Sequence, residues 1–590
     1  MNPQFQLMFE QALHAFQGGY IDRADSLLTK IISVDKKNPN VLHLLGLIRA
    51  SQGNFKEAVD LLTKAAQIEP LDGFIQYNLA KALVDSDQIP ESIPHHINAV
   101  ELEPNNPDAW INYGKTVSSL KRYEEAITHY DRALSLNQDY LEAWINKGIA
   151  LHELKRYEEA IAHYDRALEL SPDYVEAWTN KGAILHELKR YEEAIAHYDR
   201  ALELSPDYVE AWTNKGISLK ELKRYEEALA SYNKAIALKH DCHEAWSNQG
   251  VTLNELKHYE DALASFDKAI EIKSNYYDAY WNKALTQLVT GNFKDGWKNY
   301  EYRWKKTKAD PMRHQHFQTL TNLNGISGKK VLVWSEQGYG DTIQFSRYIE
   351  KLIELEADVI FEVQEPLKAL FKQSFARAKI INQDEAFGCI DFQIPLISLP
   401  LLFCTNIENI PSKKSYIQVN KEKLIYWKKK LNIEYKKINI GIACSGNINN
   451  TNDKNRSIDL KFFEQIENQA SLFIIQKELR KNDYDFLNKN KKIKFLGEEI
   501  NSFNDSAAII EIMDLVITVD TSLAHLSSAI GKPTFILLPW SPEWRWLIDR
   551  NDSPWYPTAT MFRQPNLGDW EAVIKKIVLQ LNLDYQQKFY

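Results

Sequence analysis

The sequence predicts an α-helical solenoid of repeated helix pairs, followed by an α/β region made of two doubly wound halves. Three observations lead there. A tryptophan recurs every 34 residues through the first half of the chain. From Lys329 onward, short apolar runs alternate with helical stretches. The 590 residues exceed what one hydrophobic core organises, so two to four domains are expected.

The periodicity is explicit. Trp110, Trp144, Trp178, Trp212 and Trp246 share one register, with Tyr280 in the next equivalent place. Gly114, Gly148, Gly182, Gly216 and Gly250 follow, then Ala126, Ala160, Ala194, Ala228 and Ala262. Small residues are expected where two antiparallel helices approach most closely, with aromatics filling the gaps between units. Pro70, Pro104, Pro172 and Pro206 end the second helix, since proline cannot donate to an intrahelical bond. The pattern resembles the tetratricopeptide repeat. Weaker units around Gly46 and Ala80 extend it to the N-terminus, giving about nine repeats over residues 1–310.

The concave face of such a solenoid, lined by the first helices, is where partners are expected. Asn78, Asn112, Asn146, Asn180, Asn214, Asn248 and Asn282 form a ladder at the repeat spacing. A side-chain amide both donates and accepts, so a row of them suits the backbone of an extended protein or peptide segment. The alternative is architecture inherited by duplication, which near-identical units such as "HELKRYEEAIAHYDRALELSPDYVEAWTNKG" attest. The ladder resembles that of the repeat-bearing O-GlcNAc transferases. His152, His163, His186 and His197 share the repeat period and read as surface or inter-repeat residues.

The ninth unit, "GNFKDGWKNYEYRWKK", ends in Trp297, Tyr300 and Trp304, an aromatic face suited to docking on a following domain or to plain capping. Residues 311–328 read as a connector. The first α/β half is expected over 329–430, with strands in "KKVLVW", "ADVIFEV" and "AKIIN". The second is expected over 431–590, with strands in "INIGIACSG", "SLFIIQK", "IKFLG", "LVITV" and "PTFILL". Ligands of such folds lie at the carboxyl ends of the strands, here in a cleft between the halves.

The sharpest local signal is "DLVITVDTSLAHLSSAIGKPTFILL". A buried strand ends at Val519, Asp520 and Thr521 turn the chain, and a helix opens with the amides of Thr521, Ser522, Leu523 and Ala524. Those donors and the helix dipole suit a diphosphate. A capped strand–helix turn is the plainer reading. The segment through His525 resembles the nucleotide-diphosphate motif of glycosyltransferase family 9, the heptosyltransferases, with their GT-B fold. "GYGDTIQFSRY", containing Gly338 and Gly340, resembles that family's N-terminal loop.

The resemblance implies an inverting glycosyltransferase, independent of metal, that uses a nucleoside-diphosphate sugar as donor substrate and no other cofactor. It places the general base at Asp341, a role a carboxylate at a loop–helix junction suits; the plainer reading makes Asp341 a helix-start residue. It puts a second phosphate-contacting loop at Ser445, Gly446 and Asn447 in "CSGNINNTNDKNRSI". A cation is expected nearby, Arg456 ahead of Lys454, with Lys477 and Glu478 toward the donor nucleoside. The family's pattern in the 447–456 loop is absent, so ADP-heptose is not implied as donor. The aromatic tail, with Trp540, Trp544, Trp546, Trp555 and Trp570, suits either sugar rings or packing between the halves; Arg545, Arg550 and Arg563 are possible anion contacts.

The acceptor is expected to be a protein or surface glycan recruited by the repeats, as in similar bacterial chains. The alternative is a repeat scaffold with a degenerate transferase half. A net charge of −9 argues against nucleic acid as partner. Four scattered cysteines fit a reducing compartment. With no signal peptide or membrane-spanning run apparent, a cytoplasmic location is expected.

Overall fold

The computed structural model describes residues 3–433, 437–448 and 452–585. Residues 449–451 of the "CSGNINNTNDKNRSI" segment therefore lie outside the described residues. The chain forms two compact units, Met1–His240 and Asp241–Tyr590. The division falls inside the repeat array rather than at residue 310: the last repeat shares a core with the α/β region, and Tyr259 of the repeat before it packs against that core.

Met1–His240 holds seven helix pairs, from Pro3–Gln17 with Ile21–Val34 to Val209–Glu221 with Tyr225–Leu238. Each tryptophan has a local reason. The indole N–H of Trp110, Trp178 and Trp212 donates to the carbonyl of Pro104, Pro172 and Pro206, at 3.0, 2.9 and 2.9 Å. The inter-repeat turn is thereby fixed by the first helix that follows it. The prolines lie two residues beyond second helices ending at Leu102, Leu170 and Leu204.

The glycines serve a tighter purpose than backbone approach. A Cβ on Gly148, Gly182 or Gly216 would stand 2.7, 2.7 and 2.5 Å from the Cε1 atoms of Tyr164, Tyr198 and Tyr232. The second-helix tyrosine ring thus lies on the first helix of its own pair, and only glycine leaves room for it. These aromatics fill space within a repeat rather than only between repeats.

In Asp241–Tyr590, the pairs His243–Glu255/Tyr259–Ile272 and Tyr277–Val289/Phe293–Tyr300 lead into a 3₁₀ turn, Glu301–Trp304. Four strands then form the first sheet: β1 Lys330–Trp334, β2 Asp358–Glu362, β3 Lys379–Ile381 and β4 Phe392–Pro395, in the order β3-β2-β1-β4. Six form the second: β5 Ile438–Ala443, β6 Ala470–Ile474, β7 Ile493–Phe495, β8 Leu515–Val519, β9 Thr534–Leu538 and β10 Ala559–Arg563, in the order β10-β9-β8-β5-β6-β7. All pairings between named strands are parallel. β4 and β10 were not expected. β4 is a four-residue edge strand ending in proline, and β10 sits in an aromatic, proline-flanked stretch with no regular pattern.

One continuous core joins the last repeat to both sheets. It includes Leu288, Phe293, Trp297 and Tyr300, then Val331 and Phe361, then Val516, Ile536, Trp544 and Trp555. Trp297 is fully buried, edge-on to Trp544 with ring centroids 5.3 Å apart. The docking face expected of the ninth unit is therefore built, and Trp544, Trp546 and Trp555 are used for packing. The helix Trp570–Tyr585 packs through Trp570, Val573, Ile574 and Ile577 on the second sheet's own core.

The repeat packing makes a direct prediction. Gly182→Ala forces a methyl into the Tyr198 ring, at 2.7 Å. A loss of about 1–3 kcal/mol is expected from overpacking, read as a lowered midpoint in urea unfolding followed by circular dichroism. An unchanged midpoint would show that the ring is free to move.

Candidate functional site

The topology of the second sheet locates the site. β5 lies between β6 and β8, and the strand order reverses there, so the loops after β5 and β8 part and leave a crevice at their carboxyl ends. The β5 loop carries Cys444, Ser445 and Gly446; the β8 loop carries Asp520 and Thr521.

Arg456 spans that crevice. It donates from Nη1 to the Asp520 carbonyl at 2.8 Å, and its Nη2 lies 2.5 Å from where a Gly446 Cβ would stand. The Nε of Arg456 is buried without a hydrogen-bond partner among the described residues and lies 3.7 Å from Asp453 Oδ1. Of the expected cations, Lys454 and Lys477 are exposed, as is Glu478. The β5 loop is set instead by Gln476, a residue the sequence did not flag. Its side-chain oxygen accepts from the Cys444 and Ser445 amides at 2.6 and 3.1 Å, and its amide donates to Ser445 Oγ at 2.8 Å. Those two amides are thus taken, and Asn447 is exposed.

The helix after β8 spans Ser522–Ile530, with Thr521 as its N-cap in extended conformation. Thr521 Oγ1 accepts from the Leu523 amide at 3.3 Å, and the Thr521 carbonyl accepts from the Ala524 amide at 3.0 Å. Two of the four expected amides are therefore satisfied internally. Those of Thr521 and Ser522 have no partner among the described residues. His525 is buried, its Nδ1 2.9 Å from the Tyr556 hydroxyl and its ring stacked on Trp546. Burial, with Arg545, Arg347 and Arg456 nearby, holds it well below the usual histidine range, so it is neutral.

Two elements far apart in sequence meet here. The helix Tyr339–Phe345 follows β1 and lies against the helix Ser522–Ile530. A Cβ on Gly340 would stand 2.7 Å from His525 Cδ2 and 3.6 Å from Ser522 Cα, so glycine is needed for the approach. Gly338 caps the first helix, its amide donating to Asp341 Oδ2 at 3.2 Å. The other carboxylate oxygen, Oδ1, is ion-paired with Arg545, which also holds Glu543. Burial pushes the Asp341 carboxyl up; Arg545 opposes that shift and Glu543 adds to it. Asp520 is pushed up to about 7 by burial and by Glu543, against the pull of Arg545 and Arg456. Next to this cluster, Leu547 adopts φ 54° and ψ −173°, a strained conformation for a branched side chain. Of the other candidate cations, Arg550 pairs with Asp552 and Arg563 donates to the carbonyls of Trp546 and Arg550. Among the described residues, no group of three histidine, cysteine or acidic side chains is placed to hold a metal.

The equivalent crevice of the first sheet, between β1 and β4, is filled by the chain itself. Arg303, from the turn that ends the repeats, donates to Glu336 at 3.0 Å, Glu301 at 2.7 Å and Ser398 Oγ at 2.7 Å. Glu336 is pushed up to about 7, by burial first and Arg303 opposing, and its Oε2 has no hydrogen-bond partner.

In Met1–His240 the asparagine ladder is half-buried throughout. Asn78 and Asn112 donate to carbonyls four residues back, and each also meets a side chain of the preceding first helix, His43 or Tyr77. For Asn146, Asn180 and Asn214 the equivalent places are held by Ile111, Ile145 and Thr179. Asn248 and Asn282, in the second unit, are likewise half-buried. His163 and His197 lie against Trp144 and Trp178, as repeat-packing residues.

Comparison with known proteins supports the repeats. Tetratricopeptide-repeat models match residues 41–74, 118–155, 141–174, 173–239 and 243–276. The N-terminal ~290 residues are tetratricopeptide repeats. Protein FlbA of Caulobacter vibrioides (strain ATCC 19089 / CIP 103742 / CB 15) is 23% identical over 326 residues, 50% of this chain and 53% of its own. The chain thus spans about half the length of that curated relative. Among solved structures, YrrB, a TPR protein with an unusual peptide-binding site, is 27% identical at TM-score 0.27, covering 32% of this chain and 98% of its own. Pseudomonas aeruginosa PilF is 20% identical at TM-score 0.32, covering 36% and 97%. A tetratricopeptide-repeat protein from Parabacteroides merdae is 16% identical at 0.35, covering 42% and 98%. No helix among the described residues is long and apolar enough to cross a membrane.

Two outcomes follow from the buried charges. Arg303→Ala leaves Glu336 and Glu301 without their cation and is expected to cost about 3–5 kcal/mol, measured by urea unfolding of the full chain. Asp520 and Glu336 titrate near 7 in the fold but near 4 when unfolded. Between those values the native state binds more protons, so their contribution to stability is full below pH 4 and declines as pH rises toward 7. Unfolding free energy measured across that range is expected to fall less steeply in Asp520→Asn/Glu336→Gln; an unaltered slope would remove both groups from the account.

Proposed function

We propose that Asp241–Tyr590 is an inverting glycosyltransferase of GT-B type, similar to glycosyltransferase family 9, whose acceptor is a protein recruited by the tetratricopeptide repeats. The observation that supports it most is the crevice at the β5/β8 switch point. There the amides of Thr521 and Ser522, without a partner among the described residues, the Arg456 guanidinium and the Arg545–Asp341 pair converge. A nucleoside-diphosphate sugar suits that set of groups: the amides and Arg456 take the diphosphate, as helix N-termini and fixed cations do.

The chemistry then assigns each group a task. The incoming diphosphate competes with Asp341 for Arg545, and release of that ion pair frees the carboxylate. Asp341 takes the proton of an acceptor hydroxyl as its oxygen bonds to the anomeric carbon. The bond from that carbon to the diphosphate breaks, and the electron pair leaves with the diphosphate, where Arg456 and Arg545 offset its charge. Neutral His525 and buried Trp546 wall the crevice without adding charge.

A second reading is a repeat scaffold with an inactive transferase half. It is favoured by the internal satisfaction of the Leu523 and Ala524 amides and by the ion pairing of Asp341. Thermal-shift titration of the full chain with UDP-, GDP-, ADP- and CMP-sugars separates the two. One base is expected to raise Tm, and Arg456→Ala to weaken that nucleotide about tenfold or more. Asp341→Asn is expected to abolish sugar transfer while nucleotide binding persists. No shift with any nucleotide would leave the scaffold as the function.

A further inference from the structure

Between the first helices Leu141–Glu153 and Val175–Glu187 lies a groove of about 570 Å³. Asp139, Glu142, Asn146, Ile149, Tyr174 and Glu176 line it, and no lysine or arginine does. The arrangement repeats along the unit. Glu142, Glu176 and Glu210 each precede Asn146, Asn180 and Asn214 by four residues, so carboxylate and amide share one helix face a turn apart.

The neighbouring cations are withheld from that face. Lys147, Lys181 and Lys215 each hold a carboxylate of the preceding repeat's second helix, Asp131, Asp165 and Asp199, at 2.5 Å. Glu142 has one exposed pair, with Lys115 at 2.8 Å. Among the described residues, Glu176 and Glu210 accept only from the hydroxyls of Tyr174 and Tyr208, at 3.0 and 3.2 Å. The imbalance extends over the unit. Met1–His240 carries 36 acidic against 26 basic side chains, whereas the rest of the chain has 44 against 45.

We propose that this face receives an extended polypeptide segment bearing lysine or arginine. The amides of Asn146, Asn180 and Asn214 hold its backbone, and Glu142, Glu176 and Glu210 meet its cationic side chains. The proposal rests on the reading of the repeats as a peptide-binding face and adds the charge of the partner. Packed helices stand about 8–10 Å apart, and an extended chain advances about 3.3 Å per residue, so one cation in every three residues matches the carboxylate row. Nucleic acid is repelled by the same field.

Fluorescence anisotropy with the full chain tests this, using a labelled Gly/Ser peptide with arginine at every third position and its glutamate counterpart. The arginine peptide is expected to bind and the glutamate peptide not. Glu142→Gln/Glu176→Gln/Glu210→Gln is expected to weaken it about tenfold or more. Glu158→Gln/Glu192→Gln/Glu226→Gln, an equal charge change on exposed second-helix positions, is expected to leave affinity within about twofold. Equal losses in both triple variants overturn the site in favour of bulk charge. Preferred binding of the glutamate peptide, abolished by Asn146→Ala/Asn180→Ala/Asn214→Ala, overturns the charge assignment and keeps the peptide groove. Binding of neither peptide overturns both.

Discussion

The structure of Asp241–Tyr590 depends on the seating of the last repeat in the α/β region. A buried arginine is tolerable only where carboxylates and further acceptors surround it, and Arg303 has Glu301, Glu336 and Ser398. Removing any of these partners strands a charge in a medium that solvates it poorly. Trp297 adds apolar area over the same contact, buried against Trp544, Trp555 and Phe345. The last repeat is therefore welded to the loop after β1, four residues of which separate Glu336 from Asp341.

That loop explains the electrostatic character of the candidate site. Helix Tyr339–Phe345 is pressed onto helix Ser522–Ile530 through Gly340, which brings Asp341 and Asp520 into one poorly hydrated neighbourhood, with the more exposed Glu543 beside them. Burial there disfavours the charged forms of Asp341 and Asp520. Arg545 settles the contest by direct pairing with Asp341 and Glu543, so Asp520 bears most of the remaining penalty. A polyanionic ligand entering this crevice would redistribute Arg545 and Arg456 and thereby change which carboxyl carries charge.

The repeats of Met1–His240 follow a different logic. Internal pairing of the lysines against second-helix aspartates leaves a row of carboxylates beside the asparagines, and the surplus negative charge of the chain resides in this unit. The charge of that face is set by the balance of ion pairs between helix faces rather than by the residues that make the fold.

The sequence by itself determined the repeats and the parallel α/β character. Both depend on short-range periodicity: tryptophan, glycine and tyrosine every 34 residues, and apolar runs of strand length between helices. It also singled out Asp341, Arg456 and the Asp520–His525 segment, because loops at strand ends have local signatures. Three matters were left to tertiary structure. The glycines accommodate tyrosine rings, since a ring's resting place depends on helix packing and not on spacing. Gln476 and Arg303 were invisible because lone polar residues take meaning only from the partners the fold brings to them. The pairing of Asp341 with Arg545, 204 residues away, was decided by the meeting of the helix after β1 with the turn Trp544–Trp546 after β9, a long-range event that no local pattern encodes.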